Sequence, residues 1–406
     1  MFKIVESMNI LFVNDIPFNP LGGGLERVTD ILTKELVKRG HNIAYLCGKL
    51  SLSQLYLLDY DFPANLYQLP NYDFFDDEEN ICFYKRLLIE LELDIVVNQR
   101  GLGGKFNKLL LVTQPKVVSV IHSTPESDVV IFLNRLMELT VPPFVGFKRI
   151  IKRMFPTLIS LYWKKKAIDM MKNKYNELAC HSNVIVTLSP KYINILRQFI
   201  NVSHQAKIIS IPNPNTFDMV GSISKPKEKI VLFVGRLEKE EKEPLRLLKI
   251  WKYLHKKYSD WQLIIVGDGD ERDRMQYYVN KRGLNNVFFE GRQSNVVQYY
   301  QKASFICLTS NFEGWGMVLT EGMQYGCIPF TFDNYGAAFE IIDDGLNGCL
   351  ISAFDLKEYA FRLSGLMSNC EKRIEMSKEA VKKVKMFSPE NVVDKWEKLF
   401  QDLIKC

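Results

Sequence analysis

Short apolar runs, each handing over to a loop and then to a segment of helical periodicity, recur along this chain and constrain its fold more than any other feature. NILFVN (9–14) is the first, and the segment after it repeats apolar residues at Leu25, Val28, Ile31, Leu32 and Leu36, a helical spacing. LDIVVN (93–98), KVVSVI (116–121), NVIVTL (183–188) and KIISI (207–211) continue the series. A polar, proline-bearing stretch, SISKPKEK, intervenes. From Lys229 the alternation starts afresh with IVLFVG (230–235), QLIIVG (262–267), NVFFEG (286–291), SFICLT (304–309) and GCIPFTFD (326–333). Strands alternating with helices imply α/β architecture with parallel sheets. At 406 residues the chain exceeds the size at which one core keeps growing. Two domains are therefore expected, over 1–212 and 229–386, joined by a linker over 213–228.

Composition narrows the function classes. The net charge of +6 is modest, and eight cysteines are scattered without a CxxC pair. That pattern reads as a reduced, cytoplasmic chain with neither a disulfide framework nor a cysteine metal site. No apolar run approaches the ~20 residues that span a bilayer, and no secretory h-region opens the chain. Membrane contact is expected to be peripheral, on the inner face of the plasma membrane.

The residues with chemical potential gather at strand ends, where open α/β sheets bind their ligands. The stretch Thr309–Gly348 carries Glu313 on a glycine-flanked loop (FEGWG, with Gly314, Trp315 and Gly316) and Glu321 on the helix that follows. A helix start favours an anion, whereas carboxylates accept hydrogen bonds from hydroxyls. A polyol that carries an anion, such as a sugar nucleotide, uses both. Two capping or surface carboxylates are the alternative. Arg236 leaves the strand IVLFVG and Lys242 follows six residues later, placed to neutralise a diphosphate. They also belong to a charge-rich run, RLEKEEKEPLR, that a solvated surface explains. Gly22, Gly23 and Gly24 stand between the first strand and its helix and let backbone amides approach a phosphate. They do not make a GxGxxG fingerprint, and no acidic residue ends the next strand, so a dinucleotide oxidoreductase is disfavoured. His122 ends KVVSVI; its neutral form donates one hydrogen bond and accepts another. Arg100 and Lys105, on a strand's exit loop, could meet an anion or simply be solvated.

The forty residues around Glu313 and Glu321, an E-x7-E pattern inside EGWG and EGMQYGCIP, resemble the signature of the large retaining glycosyltransferase family often called family 4. GGGLERV, the arginine–lysine pair and the IPN turn at 211–213 resemble its other motifs. The resemblance implies a GT-B fold, two Rossmann-like domains facing each other across a cleft, with the C-terminal helix over 387–406 returning to complete the first domain. It implies that Arg236 and Lys242 meet the donor diphosphate, Glu313 the hexose and Glu321 the ribose. Gly23, Gly24, Gly314, Trp315 and Gly316 border the donor, and His122 lies close to its sugar. Trp315 replaces the family's more common phenylalanine as a pocket wall. The Asp343–Asp344 pair is read on a late helix, away from any DxD-like metal site, so no cofactor or metal is expected beyond the nucleotide-sugar co-substrate, UDP-sugar before GDP-sugar.

Residues 144–174 interleave lysine and arginine with Phe, Ile, Leu, Tyr and Trp. This mixture suits an anionic membrane surface or a lipid-linked acceptor; an amphipathic helix with a solvated basic face is the alternative. No nucleic-acid motif accompanies it, so no nucleic acid is expected as a partner. The expected activity is retaining transfer of a hexose-type sugar to a polysaccharide, lipopolysaccharide or lipid-linked glycan acceptor. The rival is a non-catalytic GT-B module that binds glycan or nucleotide.

Overall fold

A computed structural model describes residues 7–14, 23–48, 64–71, 77–101, 115–127, 156–201, 206–217 and 227–405, with 156–162 by backbone alone. Gly22, Lys105, residues 144–155 of the basic–aromatic stretch and residues 218–226 of the linker lie outside the described residues. The chain divides into two compact units, residues 1–211 with 393–406, and residues 212–392.

In the first unit the described strands are β1 (Asn9–Asn14), β2 (Asn42–Cys47), β3 (Asn65–Gln68), β4 (Ile95–Asn98), β5 (Lys116–Ile121), β6 (Val184–Thr187) and β7 (Lys207–Ser210). They form one sheet in the order β3-β2-β1-β4-β5-β6-β7, and every pairing is parallel. The helices are α1 (Gly24–Lys38), α2 (Glu78–Glu90), α3 (Pro156–Cys180) and α4 (Pro190–Leu196). Successive residues Ile10, Leu11, Phe12 and Val13 are all buried, so both faces of β1 are covered. That is why it reads as a continuous apolar run rather than an alternation. Leu11, Val13 and Val96 pack with Tyr84 and Leu87 of α2, and Ile121 and Ile185 pack with Met171, Tyr175 and Leu178 of α3.

The second unit repeats the plan. Its strands are β8 (Glu228–Val234), β9 (Gln262–Val266), β10 (Val287–Gly291), β11 (Ala303–Cys307), β12 (Ile328–Phe332) and β13 (Cys349–Ile351). Their order is β10-β9-β8-β11-β12-β13, again parallel throughout. The helices are α5 (Leu245–Trp251), α6 (Arg272–Arg282), α7 (Val297–Lys302), α8 (Met317–Gln324), α9 (Ala338–Ile341), α10 (Leu356–Ser368) and α11 (Cys370–Val384). Trp251, Trp261, Phe305, Phe330 and Tyr359 fill the centre of one continuous core.

The last helix, α12 (Pro389–Ile404), belongs to the first unit from Val393 onward. Its apolar side buries Val393, Trp396 and Phe400. Its polar side is locked by charge: Arg39 Nη1 donates to Asp394 at 2.6 Å and to Glu397 at 2.7 Å, and Arg39 Nε donates to Glu35 at 3.1 Å. The amide of Met8 donates to His41 Nδ1, so Nε2 carries the ring proton and donates to Glu397 Oε1 at 2.9 Å. Removing one member of a buried charge network leaves the others uncompensated. Glu397→Ala is expected to destabilise the first unit by about 2–3 kcal/mol, below the ~3–5 for an isolated buried pair because Arg39 keeps two carboxylates. Urea unfolding of the full chain measures this, and a loss within experimental error of zero would contradict the locking role.

Candidate active site

Both sheets reverse direction about a central strand. In the second unit the chain leaves β8 for β9 and β10 on one side, then returns to β11 on the other. The exits of β8 and β11 therefore part at the carboxyl edge and open a crevice there. Arg236 and Lys242 leave β8 on one lip; Ser310, Asn311 and Glu313 leave β11 on the other. The strand order brings Lys242 beside Glu313, 71 residues further along the chain.

Asn311, which sequence reasoning passed over, staples the two lips. Its backbone amide donates to Glu241 O at 2.7 Å, and its side chain donates to Lys239 O at 3.0 Å and Glu240 O at 2.8 Å. Asn334 donates in turn to Asn311 O at 2.6 Å and to Ser310 O at 3.2 Å. Asparagine serves because its amide donates to two carbonyls at once, turning a loop without regular structure into a fixed one. Only the clustering of polar residues at a strand end hinted at this role.

Lys242 Nζ lies 2.5 Å from Glu313 Oε1, and Ser310 Oγ donates to the same oxygen at 2.6 Å. Glu313 is 8% exposed, so its charge is held by these partners rather than by water. Arg236 is different: its side chain is 58% exposed and pairs with Glu238 at 2.8 Å and with Glu241, both on its own loop. Exposed pairs of this kind contribute only about 0–1 kcal/mol, so the guanidinium can exchange them for another anion.

Gly316 opens α8 with φ +91°, and a Cβ there would meet the Tyr335 hydroxyl at 3.1 Å. A side chain at Gly322 would stand 2.8 Å from Ile306 Cγ2, so this glycine lets α8 lie close on β11. Trp315, expected as a pocket wall, is 2% exposed and packs edge-on against Phe387, ring centroids 5.1 Å apart. Glu321 is 1% exposed; Thr216 Oγ1 donates to its Oε1 at 2.7 Å and Tyr300 OH to its Oε2 at 2.9 Å. The two carboxylates of E-x7-E are thus in unlike settings, one paired with Lys242 and one bonded to hydroxyls inside the unit.

Asp343 and Asp344 are not on a helix. They lie on the turn after α9, where Gly345 takes φ +77° and reverses the chain. Lys383 donates to Asp343 and Arg362 to Asp344, so each aspartate is committed to the scaffold. Among the described residues no cluster of three or more His, Cys, Asp or Glu could hold a metal ion.

The first unit's sheet reverses between β1 and β4. Gly23 caps α1 and Gly24 begins it; the Gly23 amide donates to Glu26 Oε2 at 3.0 Å. Glu26 therefore supplies the negative charge at this helix start itself. Ser189 caps α4 by accepting from the Lys191 amide. His122 follows β5, and its Nε2 donates to Gln99 Oε1, 2.6 Å away, at the exit of β4. Protein packed around the half-buried ring, and then the Arg100 charge, lower its pKa to about 4. The exposed side of α3 presents Lys164, Lys165, Lys166 and Lys172, while Ala167, Met171 and Tyr175 face the core.

Residues 216–383 match the family described as glycosyl transferases group 1. An uncharacterized glycosyltransferase of Haemophilus influenzae is 24% identical over 92% of this chain and 95% of its own. A Campylobacter jejuni GalNAc-α-(1→4)-GalNAc-α-(1→3)-diNAcBac-PP-undecaprenol α-1,4-N-acetyl-D-galactosaminyltransferase is 32% identical; the match covers 44% of this chain and 49% of that relative. Among solved structures, the pneumococcal O-GlcNAc transferase GtfA in complex with UDP and GlcNAc superposes with a TM-score of 0.73 at 14% identity, over 98% of this chain and 99% of that one.

Two measurements check the site as built. Glu321→Ala leaves the buried Tyr300 hydroxyl without its acceptor and is expected to destabilise the second unit by about 1–3 kcal/mol in denaturant unfolding. For His122, the folded pKa lies below the ordinary 6.5. As pH falls from about 6.5 to about 4, the unfolded chain takes up a proton that the folded chain refuses. This group's contribution to stability is therefore complete above that window and declines within it. A nuclear magnetic resonance titration that found His122 charging near 6.5 would overturn the assignment.

Proposed function

We propose that this chain is a GT-B glycosyltransferase of family 4 that moves a sugar from a nucleotide-sugar donor, a retaining hexosyltransferase acting on a surface glycan or its lipid-linked precursor. One observation carries the reading: Lys242, from the loop after β8, meets Glu313, from the loop after β11, at the point where the second unit's sheet reverses, and Arg236 leaves β8 on the same loop as Lys242. Two cations and a carboxylate there match a ligand with a diphosphate at one end and hydroxyls at the other.

Arg236 exchanges its loop carboxylates for the diphosphate, and Lys242 bridges the diphosphate and Glu313. As the bond from sugar to phosphate breaks, negative charge grows on the leaving oxygen, and these two cations stabilise it more in the transition state than before it. The N-terminus of α8 adds backbone donors to the same end. Glu313, held in place by Ser310, accepts from hexose hydroxyls, with Gly314 and Gly316 keeping the loop free of side chains. Glu321 takes the ribose, whose hydroxyl replaces that of Thr216. The leaving phosphate itself accepts the proton of the attacking hydroxyl, so no protein side chain is assigned as base. In the first unit Gly23 and Gly24 start α1 and His122 follows β5, at the carboxyl edge of that unit's own sheet.

The relatives support the substrate class. One is named as acting on an undecaprenol-diphosphate-linked glycan, and a structure of like fold holds UDP and GlcNAc. A UDP-sugar is therefore the first donor to try, and a GDP-sugar the second. Among the described residues no helix is long and apolar enough to cross a membrane. The lysine-rich side of α3, where Lys166 lies 5.0 Å over the Trp163 ring, supports peripheral attachment to an anionic bilayer.

Nucleotide release by the purified chain from a panel of UDP-, GDP- and ADP-sugars, in EDTA and with or without a membrane glycolipid extract, tests the reading. Release from one donor is expected, falling by about 10²–10³ in Arg236→Ala and by a comparable factor in Glu313→Ala. The product anomer should match that of the donor. Silence in every arm, with divalent metal restored, would favour a binding module instead.

A further inference from the structure

We infer that Gln99 is a positioning residue: its amide oxygen holds the His122 imidazole in the Nε2–H form, so that the Nδ1 lone pair receives a hydroxyl of the sugar bound at the first unit's carboxyl edge. The hydroxyl rests on the glycosyl-transfer reading above; the hold on the ring does not.

Placement comes first. β4 lies next to β1, at the point where this sheet reverses, and β5 lies on its other side. Gln99 is the first residue beyond β4, and its backbone amide donates to Val13 O at 3.1 Å. Two residues on, Gly101 donates to Val120 O at 3.3 Å. The turn is thereby tied to both neighbouring strands, and the Gln99 side chain, 1% exposed, has no room to rotate. It reaches sideways to the ring that leaves β5.

The donor–acceptor arithmetic follows. An amide oxygen only accepts, so the nitrogen facing it at 2.6 Å must carry the proton. Nδ1 then bears the lone pair, and among the described residues nothing donates to it. An amide also supplies no negative charge, so unlike a carboxylate it orients the ring without favouring the imidazolium. Arg100 pushes the same way. A neutral ring presenting Nδ1 accepts and cannot donate there. It suits a hydroxyl and repels phosphate, carboxylate or carbonyl oxygen.

The third observation is a cost. Gln99 Nε2 is buried and has no hydrogen-bond partner. A leucine or methionine would fill this place without stranding a donor, so packing alone does not account for glutamine. The acceptor oxygen does.

The experiment labels the histidines of the full-length chain with ¹⁵N and reads the His122 tautomer from two-bond ¹⁵N–¹H correlations, with His122→Asn identifying the resonance. The wild type should show the Nε2–H form alone, and Gln99→Leu a mixture of both forms. With the donor found active in nucleotide release, Gln99→Leu should lower kcat about tenfold and leave the donor KM nearly unchanged. Gln99→Glu, which keeps an acceptor oxygen but adds the charge that favours the imidazolium, should keep the proton on Nε2, raise the pH at which the ring charges, and restore turnover only above that pH. A wild-type proton on Nδ1, or a tautomer unmoved in Gln99→Leu, overturns the positioning role. Wild-type turnover in His122→Asn overturns the hydroxyl contact while the tautomer result stands. Absence of turnover in every form, wild type included, refutes the glycosyl-transfer reading instead.

Discussion

In a parallel sheet whose strand order reverses about a central strand, the chain exits on either side of that strand must diverge, and everything at the candidate site depends on that geometry. Arg236 and Lys242 leave β8, Glu313 leaves β11, and the pairing of these two strands sets how far apart they start. The loops themselves have little regular structure. Their shape comes from side-chain amides: Asn311 donates to two carbonyls of the cationic loop, and Asn334 donates to the carbonyls of Ser310 and Asn311. The sheet chooses the place, and a few buried polar contacts hold the groups within reach of one another.

Charge at this edge is balanced locally but unequally. Glu313 is almost buried, with Lys242 and Ser310 on one oxygen, so the carboxylate keeps its orientation. Arg236 is mostly in solvent, and its two partners sit on its own loop, where screening keeps the pairs weak. One group is held and the other is exchangeable. The first unit follows another logic, in which Glu26 fills the start of α1 and a neutral imidazole, oriented by an amide, replaces charge.

Much of the architecture was legible in the residues, because a strand covered on both faces leaves an unbroken apolar run and its helix leaves a 3.6-residue repeat. IVLFVG and SFICLT announce β8 and β11 in this way, and Ser189-Pro190 announces a helix start. The alternation thereby specified α/β units with parallel sheets, and the charged residues just past the strands marked the carboxyl edges. Asp343 and Asp344 read as helical although the helix stops at Ile341, where Ile342 turns to extended backbone, because a four-residue helix has too few turns to show a period.

Local sequence could not convey which exits become neighbours, since strand order is decided by long-range packing of whole helices on the sheet. Nor could it separate Glu313 from Glu321: both follow the same strand, yet the helical twist carries Glu321 inward to Thr216 and Tyr300. Trp315 reads as a wall, but the turn at Gly316 sends it against Phe387. Gln99 carries no motif at all, and it acquires a role only because β5 brings His122 to its side. Sequence by itself determined the kinds of element and the chemistry at their ends. Tertiary structure decided which of those groups meet, because side-chain contacts at a sheet edge depend on strand order, which no local pattern encodes.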